Sequence, residues 1–275
     1  MELVEIRLRA ADGHGIGATI FGEGERAVVI MPASGVPQSY YAKYAAYLAE
    51  RGFRVLTFDY RGIGRSREGD VRRSEARMRD WALLDAAAAA GFFGGGELRV
   101  VGHSFGGQAL GLLPAPERIR AALLVGSPSG YWRHWPALGK LWMWPATRLG
   151  LPAVAKLLGY FPGSRLGFGE DLPPGVALEW ASWCGHPQYI VGALGVADAY
   201  ARLQAPVRAY AIADDPFAPL QAVEALGALY PNARWETRKL RPRERGVKSI
   251  GHFGFFRERF RDSLWRESAD WLESV

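Results

Sequence analysis

The chain has 275 residues, 49% of them hydrophobic and 23% charged, a balance that excludes wholesale disorder and leaves room for one large domain with an insertion or for two small ones. Its net charge of +6 accompanies no nucleic-acid motif, so no nucleic-acid partner is expected, and no apolar run reaches the ~18 residues that stable membrane insertion needs. The lone Cys184 excludes an internal disulfide, and the strand-like start MELVEIRLRAADG has no basic-then-apolar leader; both suit a cytoplasmic protein.

In chain order, VEIRLRA (4–10) and IGATIFG (16–22) read as an antiparallel hairpin, and AVVIM (27–31) as a strand covered on both faces. QSYYAKYAAYLAERG follows as a helix with Tyr40, Tyr44, Tyr47 and Leu48 on one face and Gly52 as its stop. FRVLTF (53–58) is the next strand, SEARMRDWALLDAAAAAG (74–91) the next helix, LRVVG (98–102) a strand leading through a serine turn into the helix QALGLL, and RAALLVG (120–126) another buried strand. The rhythm then breaks. Residues 129–200 hold six of the ten tryptophans and no clear buried strand. Strand composition returns at PVRAYAIA (206–213) and ARWETRKL (233–240), with AVEALGALY as a helix between them and a closing helix through Trp271. Alternating strands and helices predict an α/β protein with a mostly parallel central sheet flanked by helices, its core formed by residues 1–128 and 201–275, and a helical cap inserted at 129–200.

The turn Gly102-His103-Ser104-Phe105-Gly106 fits G-x-S-x-G. Composition alone yields about 0.2 such matches, so the context has to carry the weight. Ser104 stands where a strand passes into a helix, with Gly102, Gly106 and Gly107 giving the room a strained serine needs; a helix-capping serine is the alternative. A serine hydroxyl needs a base and an orienting acid, and after such a turn these follow as acid, then histidine. Of five histidines, His14 precedes the serine, His103 points to the other side of the turn, and His134 and His186 fall in the insertion. His252, in KSIGHFGFF, follows the last strand. AYAIADDPFAP places Asp214 and Asp215 at the end of the preceding strand, either of which could hold the imidazole. The amide of Phe105 and one from MPASGVPQ, Ser34 ahead of Gly35, are the expected oxyanion donors.

Four ordered stretches, FDYRGIGRSR, GHSFGG, DDPFAP and GHFGFF, resemble the α/β-hydrolase superfamily over nearly the whole chain, and more narrowly a bacterial subgroup of predicted serine hydrolases without a defined substrate. The resemblance implies Ser104, Asp215 and His252 as catalytic residues, choosing Asp215 over Asp214 by register, whereas the Ser34 loop departs from the family's common His-Gly form. It gives Asp59, Arg61, Gly62 and Gly64 a loop-shaping role through turns and a buried ion pair. With serine as nucleophile the reaction is acyl transfer through an acyl-enzyme, and no metal or cofactor motif accompanies it.

The insertion is rich in Trp, Leu and Pro. Most of its aromatic residues should pack it onto the core, while Trp132, Trp135, Trp180 and Trp183 are the candidates for an apolar roof over the site. Lipid-surface binding is a weaker reading of its alternating Trp and Arg, and Cys184 reads as a small buried residue. RKLRPRERGVK (238–248) sets six cations against Glu244 and reads as a solvated loop, with an entrance for acidic substrates as the alternative. The sequence therefore points to a serine carboxylesterase acting on a small to medium apolar acyl substrate. The rivals are an acyltransferase with the same triad and a non-catalytic ligand-binding protein. Acyl length and oligomeric state are not encoded in any of these motifs.

Overall fold

A computed structural model describes residues 3–275. Eight strands, β1 (Leu3–Arg9), β2 (Gly15–Phe21), β3 (Arg26–Met31), β4 (Phe53–Phe58), β5 (Leu98–His103), β6 (Ile119–Val125), β7 (Pro206–Ile212) and β8 (Arg234–Leu240), form one sheet in the order β1-β2-β4-β3-β5-β6-β7-β8. Pairing is antiparallel for β1 with β2 and for β2 with β4, and parallel from β4 to β8. All eight strands lie within a residue or so of the stretches read from composition. The central strands are continuous apolar runs because both faces are covered: Val29 and Met31 join one core cluster, Val28 and Ile30 the other. The edge strand β8 instead carries Arg234, Glu236, Arg238 and Lys239 and is largely exposed, as an unpaired edge requires.

Three helices depart from expectation, the last being QALGLL, where a short helix, Phe105–Gln108, passes into a 3-10 turn, Ala109–Leu112. The first begins as a 3-10 turn, Gln38–Tyr41, before the α-helix Ala42–Glu50. Three residues per turn shift the phase, so Tyr41, not Tyr40, enters the core, and Tyr41, Tyr44, Ala45 and Leu48 make the buried stripe. The second starts at Met78 rather than Ser74, where the Asp80 carboxylate accepts the Arg77 amide at 2.7 Å. It widens to a π-turn at Trp81–Asp85, then continues as Ala86–Gly91. That turn delivers the fully buried Asp85 to Arg61, which also binds Asp12. The buried ion pair of the Asp59–Gly64 loop is thus Arg61 with Asp85. Asp59 instead accepts from Gln38 and the Arg65 amide.

Between β6 and β7 the described residues contain no strand of the sheet, only an isolated bridge, Phe161 with Leu172, among helices. Ala137–Pro145, a π-turn at Ala146–Gly150 and Leu151–Leu158 run on without a break. Leu151 and Ala155 pack on Ala177 and Ala181 of the helix Pro174–Trp183 in a small cluster of their own. From Trp183 to Tyr200 the segment merges with the main core. Nearer the sheet, the Gly35 carbonyl accepts the Glu170 amide at 2.6 Å, and a Cβ on Gly169 would fall 2.2 Å from the same oxygen. The stretch Gly169–Glu170 therefore rests directly on the loop that follows β3.

Candidate active site

The carboxyl ends of β3, β5, β6, β7 and β8 converge on one face, the usual ligand crevice of an open parallel sheet. There, β5 ends in the turn that carries Ser104, at φ 51° and ψ −113°. A non-glycine residue holds this backbone only where its surroundings insist. The Ser104 amide donates to the Val125 carbonyl at 3.0 Å, and the Ser104 carbonyl accepts from the amides of Gly107 and Gln108. A Cβ on Gly106 would come within 2.0 Å of the Met31 carbonyl oxygen, and one on Gly107 within 2.2 Å of Ser127 Oγ. The glycines thus let the elbow lie against β3 and β6, leaving the serine side chain as the group that projects into the cavity.

His252 lies in a short turn of helix, Gly251–Gly254, after β8. Its Nδ1 is 2.7 Å from Asp215 Oδ2, and both side chains are almost wholly buried. Asp215 Oδ1 in turn accepts the amides of Phe217 and Ala218 at 2.8 and 3.1 Å. A carboxylate fixed in this way holds the proton on His252 Nδ1 and leaves Nε2 as the basic nitrogen. Asp214 points elsewhere: it accepts from Ser249 Oγ and from the amides of Ile250 and Gly251. Burial pushes its carboxyl upward, but those hydrogen bonds outweigh burial and hold it below the usual range. Asp215 touches the imidazole, and Asp214 fastens the loop on which the imidazole rides.

Ser104 and His252 line the same cavity, of about 370 Å³. The Ser104 hydroxyl makes no hydrogen bond to another described residue. Neither the Phe105 nor the Ser34 amide donates to a described residue, whereas the neighbouring Ala33 amide is taken by Tyr41 Oη at 2.9 Å. Ser34 lines the cavity and Gly35 does not.

Of the four tryptophans expected to roof the site, Trp135 and Trp180 line the cavity and Trp132 and Trp183 do not. Trp183 lies three residues beyond Trp180, about 60° around the helix, and is buried edge-on against Tyr189. Trp132 packs beside Tyr131 with the Arg133 guanidinium over its ring. The sequence reading missed the larger share of the walls, including Trp142, Phe168, Phe217 and Phe253. Phe217 and Phe253 flank the His252 ring edge-on and could have been sought within two residues of Asp215 and His252. Cys184 is fully buried, which pushes its thiol well up, as befits an inert packing residue. No residue of 238–248 lines this cavity; Arg238, Arg241 and Arg245 pair with Glu236, Glu244 and Glu267, as in a solvated loop.

Two positions escaped the sequence reading altogether. Gly126, at the end of β6 with φ +54°, lies under the Asp215–His252 pair: a Cβ there would sit 3.1 Å from Asp215 Oδ2 and 3.2 Å from His252 Nδ1. Gly126→Ala is expected to displace the pair and lower kcat by about 10–100-fold with little change in KM. A proportional rise in KM at unchanged kcat would refute this. Tyr41 is the second. Its hydroxyl accepts the Ala33 amide and donates to His103 Nδ1 at 2.8 Å, while His103 Nε2–H donates to the His252 carbonyl at 3.0 Å. One chain of hydrogen bonds therefore ties the loop after β3 to the turn that bears His252.

Burial, followed by the proximity of His252, drives the His103 pKa well below its ordinary 6.5. The folded protein keeps His103 neutral, whereas the unfolded chain protonates it below that value. Stability is therefore unaffected by His103 above pH ~6.5 and falls below it, at up to about 1.4 kcal/mol per pH unit. In urea titrations across this range, His103→Asn is expected to flatten the acid-side loss; an unchanged slope would show that other groups set it.

Among the described residues, no helix is long and apolar enough to cross a membrane and no group of three or more His, Cys, Asp or Glu could hold a metal ion. The sequence model of the Alpha/beta hydrolase family matches residues 14–261. Among solved structures, an esterase from Pyrococcus furiosus is 15% identical with a TM-score of 0.65, covering 99% of this chain and 91% of that one. An esterase from Exiguobacterium antarcticum is 16% identical with a TM-score of 0.65, covering 98% and 100%. The thioesterase domain from the curacin biosynthetic pathway is 15% identical with a TM-score of 0.60 and covers both chains fully. At such identities the structural likeness speaks for the fold alone, while the family match spans most of the sequence. The chain belongs to the alpha/beta hydrolase family.

Proposed function

We propose that the protein is a serine carboxylesterase for an uncharged, apolar acyl group. The observation that carries this reading is the buried Asp215–His252 pair, 2.7 Å apart, opening into the cavity to which the strained Ser104 turn leads. In this reading Ser104 Oγ attacks the ester carbonyl carbon as its proton passes to His252 Nε2. The amides of Phe105 and Ser34 take the developing oxyanion. The carbonyl reforms as the C–O bond to the alcohol breaks, with the alcohol leaving on the proton from His252. Water, deprotonated by the same nitrogen, then releases the acid from Ser104.

The substrate class follows from the walls. Residues 129–200 act as a cap over the core, and apart from His252 the cavity is lined by no ionisable side chain. Gln108 is engaged with Tyr189 Oη and the Pro128 carbonyl, Thr147 with the Met143 carbonyl and Trp135 Nε1 with the Pro216 carbonyl, so away from the serines the indole N–H groups of Trp142 and Trp180 are the donors that remain. A charged acyl group would lose its hydration with no charged partner in return. The test is fluorophosphonate labelling read by intact mass, followed by p-nitrophenyl esters of increasing chain length with and without an added alcohol acceptor. One adduct per chain, and hydrolysis favouring apolar over carboxylate-bearing acyl groups, are expected. No adduct on folded protein would leave a binding protein, and turnover that requires the acceptor would make it a transferase.

A further inference from the structure

Twelve large apolar side chains are exposed among the described residues, and nine of them fall between Leu138 and Phe168. Leu157 is 85% exposed, Leu138 80% and Leu141 73%, values far from those of residues packed on a core. The three successive helical segments from Ala137 to Leu158 extend roughly 30 Å. Their inward residues are Met143, Thr147, Leu151 and Ala155, whereas Leu138, Leu141, Leu149, Leu157 and Leu158 are exposed. The same stretch is electrostatically one-sided. From Ser129 to Gly169 there are five cations, Arg133, Lys140, Arg148, Lys156 and Arg165, and no Asp or Glu. None of the five forms an ion pair with a described residue, whereas Arg67 and Arg79 of the core pair with Glu170 and Glu179. Trp142, Leu166 and Phe168 are both exposed and part of the cavity wall, so the patch borders the mouth of the proposed active site.

We infer that this face of the cap docks on an anionic lipid surface, with the leucines at the acyl boundary and the five cations at the phosphate level. An amphipathic face with Lys and Arg around exposed Leu and Trp has the composition of an in-plane membrane contact, and unpaired cations without acids complement anionic headgroups. A second copy of the chain fits less well, since a two-fold contact through this face would bring its cations against their own images. The binding is peripheral: no helix here spans a bilayer. It goes beyond the esterase reading and does not depend on it. It places an apolar cavity mouth next to the phase where apolar esters collect.

The test is flotation with vesicles of equimolar phosphatidylcholine and phosphatidylglycerol against vesicles of phosphatidylcholine alone, using the full chain at low salt. Wild type should float with the anionic vesicles at least about tenfold more than with the neutral ones, and should be released as salt is raised. Leu141→Asp/Leu149→Asp and Arg148→Gln/Lys156→Gln, at positions outside the cavity wall, should each reduce flotation by about tenfold or more. Their thermal melts and circular dichroism should match wild type. Absence of flotation on anionic vesicles at low salt would overturn the inference, as would flotation that both double variants retain. So would an oligomer of the wild type that Leu141→Asp/Leu149→Asp converts to monomer without any vesicle binding, because the face would then belong to a second copy.

Discussion

Ser104→Ala is expected to lower kcat on a p-nitrophenyl ester by roughly ten-thousandfold or more and to remove the fluorophosphonate adduct, while the protein still melts cooperatively. The size follows from what is lost. Without Oγ no acyl-enzyme can form, and His252 and the two amides retain only the residual catalysis of a polar pocket. Folding should be little affected because the Ser104 turn is held by its backbone, through Val125, Gly107 and Gln108, and not by the hydroxyl, which makes no hydrogen bond to a described residue. Intact mass and burst kinetics on the same preparations separate the possibilities. An adduct that survives in the variant would place the nucleophile elsewhere and dismantle the proposed mechanism.

The neighbouring aspartates give the second large effect, and it is a contrast. Asp215→Asn replaces the acceptor of the His252 Nδ1 proton with a group that can offer a donor, favouring the wrong tautomer. The expected cost is about a thousand- to ten-thousandfold in kcat with KM nearly unchanged. Asp214→Asn keeps the Asp215–His252 pair and weakens the three hydrogen bonds that fasten Ser249, Ile250 and Gly251. Its effect should appear first as a lower melting temperature, with kcat within about tenfold of wild type. Equal losses of kcat in the two variants would mean that the loop, rather than the direct carboxylate contact, governs His252.

The strands and the serine turn were legible because they depend on local properties: apolar runs of five or six residues and glycines at a sharp backbone reversal. The contact of Asp215 with His252 was foreshadowed only by chain order and register, since 37 residues separate them. What stayed hidden depends on neighbours distant in sequence. Gly126 looks like any strand-ending glycine, because the side chains its missing Cβ would crowd come from the loop after β7 and the turn after β8. The Tyr40-to-Tyr41 shift arose from a 3-10 turn that helical periodicity does not register. The assignments of Trp132 and Trp183 failed as cavity walls because an apolar segment offers aromatic rings on several faces, and only packing decides which one meets the cavity.

The contact between the Gly35 carbonyl and the Glu170 amide has a mechanical consequence. Gly35 is bonded to Ser34, so a displacement that lifts Gly169 and Glu170 must either break this contact or pull on the Ser34 backbone, whose amide is the proposed oxyanion donor. From below, the same loop is clamped through Ala33 to Tyr41 and onward to the His252 turn. In the proposed mechanism, access and charge stabilisation are therefore geared together. A cap that swings wide to admit a bulky ester would loosen the donor that the transition state needs, so the enzyme should select against substrates that cannot be accommodated with Glu170 in place.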